Sequence, residues 1–265
     1  MHKPTYSLFL MLLAGPLAAQ EPALIPGARL AVLGLRVADG PVYFGQRERG
    51  QGLRPVLAVR WGRFQISNSG GSSLLGERGS AGATTDLLDD EDWRLTLGLR
   101  LDRGRDLGGT LRLQNLPEVR ATLRGRMALT WHQTPERDWT LALNPDLLGR
   151  DGGLLAQLGW NERLPSWSGP VAGEWTAFAQ VVAGSRRYQQ SYFGVPAGLP
   201  SFAPYVPGAG LRNASVGLGW QRPAGRHWVL FGGAALSRLL GPAAEAPFVE
   251  LRSDWSANLG LAYRF

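Results

Sequence analysis

Few side chains in this sequence could make or break bonds. Beyond residue 20 there are two histidines, His132 and His227, each beside a tryptophan, and there is no cysteine anywhere. A serine nucleophile would need one of those imidazoles next to a serine and an acid, and no G-x-S-x-G turn occurs to present one. Thiol catalysis and cysteine–histidine metal sites are excluded. The acidic run DLLDDEDW, Asp86 to Trp93, has enough carboxylates for calcium, but its spacing is not that of a helix–loop–helix calcium loop. A solvated turn is the simpler reading. No catalytic, cofactor-binding or metal-ligating residue is assigned, no cofactor is expected, and the composition points away from an enzyme.

Arginine is the remaining charged resource. Arg54, Arg60, Arg94, Arg100, Arg120, Arg124 and Arg126 recur on one side of alternating segments. They suit either a ring of like charge that selects anions in a pore, or a lattice paired with acids such as Asp102 and Asp146 that packs a narrow interior.

A fold must position these residues, and composition limits the choice. The segment MHKPTYSLFLMLLAGPLAAQ has a basic residue at Lys3, an apolar run from Leu8 to Leu13 and small residues at its end. That is the anatomy of a cleaved secretory signal, so residues 1–20 are assigned to it and residues 21–265 to one domain. An exported chain without cysteine takes its stability from something other than disulfides. The formal charge is +7, or +6 without Lys3. The arginines are dispersed along the chain rather than gathered in a run, which argues against nucleic acid as a partner. No later stretch approaches the roughly 20 apolar residues of a membrane helix. A membrane location would require a closed β-barrel.

Period two runs through the chain. WRLTLGLRL sets Trp93, Leu95, Leu97, Leu99 and Leu101 on one face, against Arg94, Thr96, Gly98 and Arg100. RATLRGRMALTW and RNASVGLGW behave alike, and the connections alternate between short and long, as in outer-membrane barrels. Trp61, Trp131, Trp160 and Trp220 are read as closing strands before the shorter connections. Trp93, Trp139, Trp175 and Trp228 are read as opening strands after them. Eight of ten tryptophans then share one membrane depth, where an indole has its ring in hydrocarbon and its N–H among headgroups. This parity demands an even number of strands between Trp61 and Trp93, one from RFQISNS and one from SAGATTDLL. The expected fold is all-β, a single transmembrane antiparallel barrel embedded in outer-membrane lipid. Twelve strands fit best, with ten or fourteen as alternatives.

The terminal WSANLGLAYRF ends on its apolar face, which adds Tyr263 and Phe265 to the girdle. This strand must zip onto ARLAVLGLRVA near the start, because an open edge in lipid leaves backbone groups unpaired. A final strand of this pattern is also the insertion signal read by the barrel assembly machinery. The longest loop, from Ser185 to Gly210, carries Tyr192, Phe193, Gly194 and Tyr205. Its aromatics suit a binding lip or an inward plug.

Several stretches go beyond general barrel pattern. YFGV at Tyr192 to Val195, PYVPGAGLRNASVGLGW at Pro204 to Trp220, HWVLFGGAALSRLLGPAAEAPFVE at His227 to Glu250 and the final GLAYRF follow RGRD at Arg103 to Asp106 and LQNLPEV. In this order they resemble the MipA/OmpV family of outer-membrane proteins. The resemblance implies a Gram-negative outer-membrane location after export through the inner membrane. It also implies a non-enzymatic scaffold that holds a murein-degrading lytic transglycosylase near a murein-synthesising penicillin-binding protein. OmpV-like members imply instead an adhesin or an osmotic and antibiotic stress-response surface protein.

Overall fold

A computed structural model describes residues 30–68, 74, 81–105, 113, 115–167 and 172–265. The assigned signal, residues 1–20, lies outside them. Twelve strands form: β1 (Leu30–Pro41), β2 (Arg49–Trp61), β3 (Phe64–Ser67), β4 (Gly82–Asp89), β5 (Trp93–Asp102) and β6 (Thr122–Thr134). They continue as β7 (Arg137–Pro145), β8 (Leu154–Trp167), β9 (Gly173–Gly184), β10 (Gly210–Ala224), β11 (Trp228–Leu239) and β12 (Ser253–Arg264). Helix α1 (Arg186–Phe193) lies between β9 and β10, and the single turn α2 (Gly241–Ala244) between β11 and β12. Every neighbouring pair is antiparallel and β12 pairs with β1, so the sheet closes into a barrel. Both strands expected between Trp61 and Trp93 are present as β3 and β4, which gives the count of twelve.

Alternation sorts the side chains by face. In β1 and β2, Leu33, Leu35, Val37, Leu53 and Leu57 are exposed on the outer wall. Val32, Val56 and Ala58 are buried inside with Phe231 and Ala262. Leu74, from the β3–β4 connection, packs among these interior residues. Elsewhere many inward strand residues are polar and bonded across strands. Gln157 Nε2 donates to Gln180 Oε1 at 3.0 Å, and Ser215 Oγ to Ser237 Oγ at 3.0 Å. Gly260 gives an inward Phe231 its space, since a Cβ there would come within 2.5 Å of Phe231 Cζ.

The stagger of the barrel can be read from its aromatic residues. Trp93, Trp131, Trp139 and Trp160 are direct cross-strand partners in one row over β5 to β8. Trp175 faces Leu164, four residues nearer the turn than Trp160, and pairs with Trp220. Trp220 faces Gly232, four residues above Trp228, which pairs with Tyr263. Tyr263 leads through Leu33 to Leu57, four residues above Trp61. Trp61 pairs with Phe64, and Phe64 leads through Thr85 to Leu97, four residues above Trp93. Four steps of four residues return the girdle to its start, a stagger of sixteen residues over twelve strands. With a rise of about 3.3 Å per residue and strands about 4.8 Å apart, this sets a tilt of about 43°. The stepped aromatics compensate for that tilt and stay level around the wall.

Leu261 sits on the outer wall opposite Leu35 and Leu230. Leu261→Arg, two residues above the girdle residue Tyr263 and so short of the midplane, is expected to cost about 1–2 kcal/mol in urea titrations of the barrel folded into vesicles. An unchanged midpoint would contradict the register of the closing seam.

Candidate functional site

The connections on the two ends of the barrel differ. At one end turns of two or three residues join β2 to β3, β4 to β5, β6 to β7 and β10 to β11, and residues 168–172 join β8 to β9. The other end carries every long connection, including α1 and α2. The barrel interior changes character from one end to the other.

At the long-loop end α1 turns inward, so the aromatic loop is a plug rather than a lip. Ser185 caps the helix by accepting the Tyr188 N–H, and Gly194 ends it with its N–H on Gln190 O at 3.0 Å. A Cβ on Gly194 would lie 2.3 Å from that carbonyl, so only glycine fits the approach. Tyr188, Tyr192, Phe193 and Phe248 are buried together, with Tyr188 stacked on Tyr192 at 4.3 Å. Phe44 packs on Phe193 at 5.7 Å. Tyr205 lies at the edge of this cluster and donates to Pro242 O at 2.8 Å.

A charged knot beneath the plug fastens it to the wall. Arg124, with 3 % of its side chain exposed, donates from Nε to Asp102 Oδ2 at 2.6 Å. The Tyr192 hydroxyl donates to the same Asp102 oxygen at 2.8 Å. Burial, reinforced by the Asp102 charge, holds the Tyr192 phenol well above its ordinary pKa and keeps it a donor. Arg124 also reaches Gly152 O at 2.8 Å, and Tyr43 donates to Tyr192 O at 3.1 Å. Buried Arg105 donates to Tyr192 O at 3.4 Å. Wall, loops and plug share these hydrogen bonds.

The other arginines separate by position. Arg54 faces inward opposite Arg36, Arg60 donates to Gln65 at 3.1 Å, and Arg94 pairs with Asp89 at 2.7 Å. Arg100 stands opposite Arg124, and Arg126 is buried within reach of Asn144. Arg120 departs from the expectation of a lumen residue. It precedes β6 and is exposed in a rim pocket with Arg150, because pairing of the wall begins at Thr122. Asp146 also departs, since it accepts from the Thr122 hydroxyl and from the N–H of Gly152 (2.8 Å) and Leu148 (3.1 Å) instead of pairing with an arginine. Burial raises the pKa of that carboxyl, but these donors outweigh it and hold it below the usual range.

At the short-turn end the interior opens as a cavity of about 1230 Å³, lined by residues such as Arg36, Arg60, His132, Asp138, Phe231 and Asn258. His132 lies within β6 rather than in a turn and donates from Nδ1 to Asp138 Oδ1 at 2.6 Å. Strands β6, β8 and β10 continue past Trp131, Trp160 and Trp220 to Thr134, Trp167 and Ala224, so these tryptophans do not close their strands. The outward pair Arg137–Glu162, at 2.9 Å, lies on such an extension. The C-terminal aromatics form one cluster, in which Tyr263 stacks on His227 at 5.2 Å and meets Phe265 edge-on at 4.9 Å. Phe265 N donates to Ala31 O at 3.0 Å. The acidic run is a capped turn, with Asp90 Oδ1 accepting from the N–H of Asp92 and Trp93. No cluster of three metal-ligating side chains occurs among the described residues.

Sequence reasoning missed Arg36, Arg105 and Tyr43 in this arrangement. Arg36 was signalled by the alternation of β1, whereas Arg105 and Tyr43 come from loop segments without period.

A closed, girdled, twelve-stranded antiparallel barrel with a polar interior and an apolar outer wall is a barrel of the outer-membrane type. Among the described residues, no helix is long and apolar enough to cross a membrane. The model of the family described as MltA-interacting protein MipA matches residues 33–265, nearly the whole chain, and the protein belongs to that family. No curated protein sequence matches it. Similar solved structures include the toluene transporter TbuX of Ralstonia pickettii, 14% identical over 91% of this chain and 90% of that one, with a TM-score of 0.36. OmpT, an outer membrane protein of Vibrio cholerae, is 6% identical over 90% of this chain and 100% of that one, with a TM-score of 0.37.

Asp102→Asn leaves buried Arg124 without its counter-charge and is expected to cost about 3 kcal/mol in urea unfolding. In planar bilayers the native barrel is expected to show no steady conductance, and Asp102→Asn intermittent openings. Steady conductance through the native barrel would contradict the plug.

Proposed function

We propose that the protein is a non-enzymatic outer-membrane scaffold, exported by its N-terminal signal, that brings a lytic transglycosylase and a penicillin-binding protein together in peptidoglycan turnover. The observation that carries this reading is the match over residues 33–265 to a family described by its interaction with MltA, a lytic transglycosylase. The architecture supports it in two ways. The plug packs buried aromatics into the long-loop end, which disfavours a role as a solute or anion pore and suits the lumen arginines to a packing lattice. The short-turn end extends past the girdle and carries two bonded polar pairs, His132–Asp138 and Arg137–Glu162. That end faces the periplasm in a barrel of this type.

In this reading the eight girdle tryptophans, with Tyr263 and Phe265, fix the depth of the barrel, and the C-terminal strand addresses it to the assembly machinery. Tyr192, Phe193, Gly194 and Tyr205 serve the plug. Partners then dock on the periplasmic turns, without entering the membrane and without nucleic acid.

Detergent-folded mature protein, used as bait, is expected to capture both a lytic transglycosylase and a penicillin-binding protein from the same cells, against an unrelated twelve-stranded barrel. Replacing Pro135–Glu136 and Gly225–Arg226 by Asn-Gly turns is expected to abolish capture with the barrel still heat-modifiable. Capture of neither enzyme by the native bait would overturn the scaffold reading.

A further inference from the structure

The outer wall is not uniformly filled. Between β3 and β7 it carries an open, almost wholly apolar groove of about 490 Å³, lined by Phe64, Ala83, Thr85, Leu97, Gly125 and Leu147. The groove exists because neighbouring outward positions bear small side chains, Ala83 and Thr85 on β4 and Gly125 on β6. Large exposed residues, Phe64, Leu97 and Met127, form its walls. Leu147 closes its upper end, with its N–H on Leu123 O at 2.9 Å.

The next residue, Leu148, belongs to a second and more polar pocket of about 830 Å³ at the long-loop rim, which Arg120 and Arg150 also line. Arg150 is tied above the start of β6 by its Nη1 on Ala121 O at 2.7 Å. Glu118 and Asp151 are the acids of that pocket, and Arg187 approaches Asp151 at 3.8 Å, so cationic charge predominates. Four residues of extended chain, about 13 Å, separate Gly125 from Ala121. An apolar slot on the outer wall thus lies about four residues down the chain from a rim pocket lined by two exposed arginines together with Gln190, Val195 and Tyr205.

We propose that the groove and these two arginines bind one phosphate-bearing, multiply acylated saccharide lipid from the leaflet that faces the long loops. An acyl chain fills the slot between Phe64 and Leu147, and a head phosphate lies against Arg120 and Arg150. The guanidinium fork suits phosphate oxygens, and its contacts strengthen at the poorly hydrated membrane edge. A neutral lipid would fill the slot but leave the arginines unmatched. This site rests on the outer-membrane reading, and the two fail differently: if that reading is wrong the barrel does not enter lipid at all, whereas failure of the site leaves a folded barrel without lipid preference.

The test is native mass spectrometry of the detergent-folded mature protein titrated with a diphosphorylated, acylated glucosamine disaccharide, its dephosphorylated form, or phosphatidylglycerol. One diphosphorylated lipid is expected to stay bound, at least tenfold more tightly than the dephosphorylated form. Arg120→Ala with Arg150→Ala is expected to remove that preference. Ala83→Phe fills the slot and is expected to lower retention of the diphosphorylated and dephosphorylated lipids alike, with heat-modifiability unchanged. Equal retention by native protein and both variants, stronger retention of phosphatidylglycerol, or a dimer in place of a lipid adduct would overturn the proposal.

Discussion

The need to pair every backbone N–H and C=O in an apolar surrounding governs this structure. An unpaired group in hydrocarbon costs several kcal/mol, so a sheet can lie there only if its last strand bonds to its first. The β1–β12 seam meets that need over eight residue pairs, from Val32–Arg264 to Asp39–Ala257. Closure fixes the stagger, the stagger fixes the tilt, and the tilt decides where an aromatic must stand on each strand to reach the same interface. The four-residue steps between the aromatic pairs are therefore one geometric consequence of closing twelve strands.

Closure also creates an interior, and the chain furnishes it unevenly. Toward the short turns it leaves an open cavity of about 1230 Å³ lined by arginines, acids and asparagine. Toward the long loops it packs tyrosines and phenylalanines around α1, over the Asp102–Arg124 pair, whose arginine is buried and whose other hydrogen bonds go to Tyr192, to the Gly104 N–H and to loop carbonyls. A buried pair is tolerable when its other hydrogen bonds are also made, and here they join three separate segments to the wall. The two ends of the lumen therefore differ, one packed with aromatic residues and one open as a polar cavity.

Membership of the MipA family and the barrel geometry are consistent levels of one description. The strand count was legible because aromatic residues mark depth, and parity between Trp61 and Trp93 demanded the weakly patterned β3 and β4. The positions of Arg124 and Arg126 were legible because they alternate with Leu123, Gly125 and Met127. Arg120 follows the same numerical parity yet lies outside the wall, since parity has meaning only where a partner strand continues the ladder. Asp146 looked like a partner for arginine, but the turn after β7 offers its carboxylate nearer donors in Thr122 and Gly152.

The sequence by itself determined the class of fold, a preference for twelve strands over ten or fourteen, the face on which each strand residue lies and the shared row of the aromatic residues. These follow from period two and from the preference of indoles for interfaces, both local or nearly local properties. Only the tertiary structure decided that α1 turns inward, that Tyr43, Arg105 and Tyr192 meet across 149 residues of chain, and that a groove opens beneath Arg120 and Arg150. Loop aromatics have no periodicity to announce a direction. They fold inward because the closed wall offers a buried surface that pairs their polar atoms, and that surface exists only after the barrel has closed.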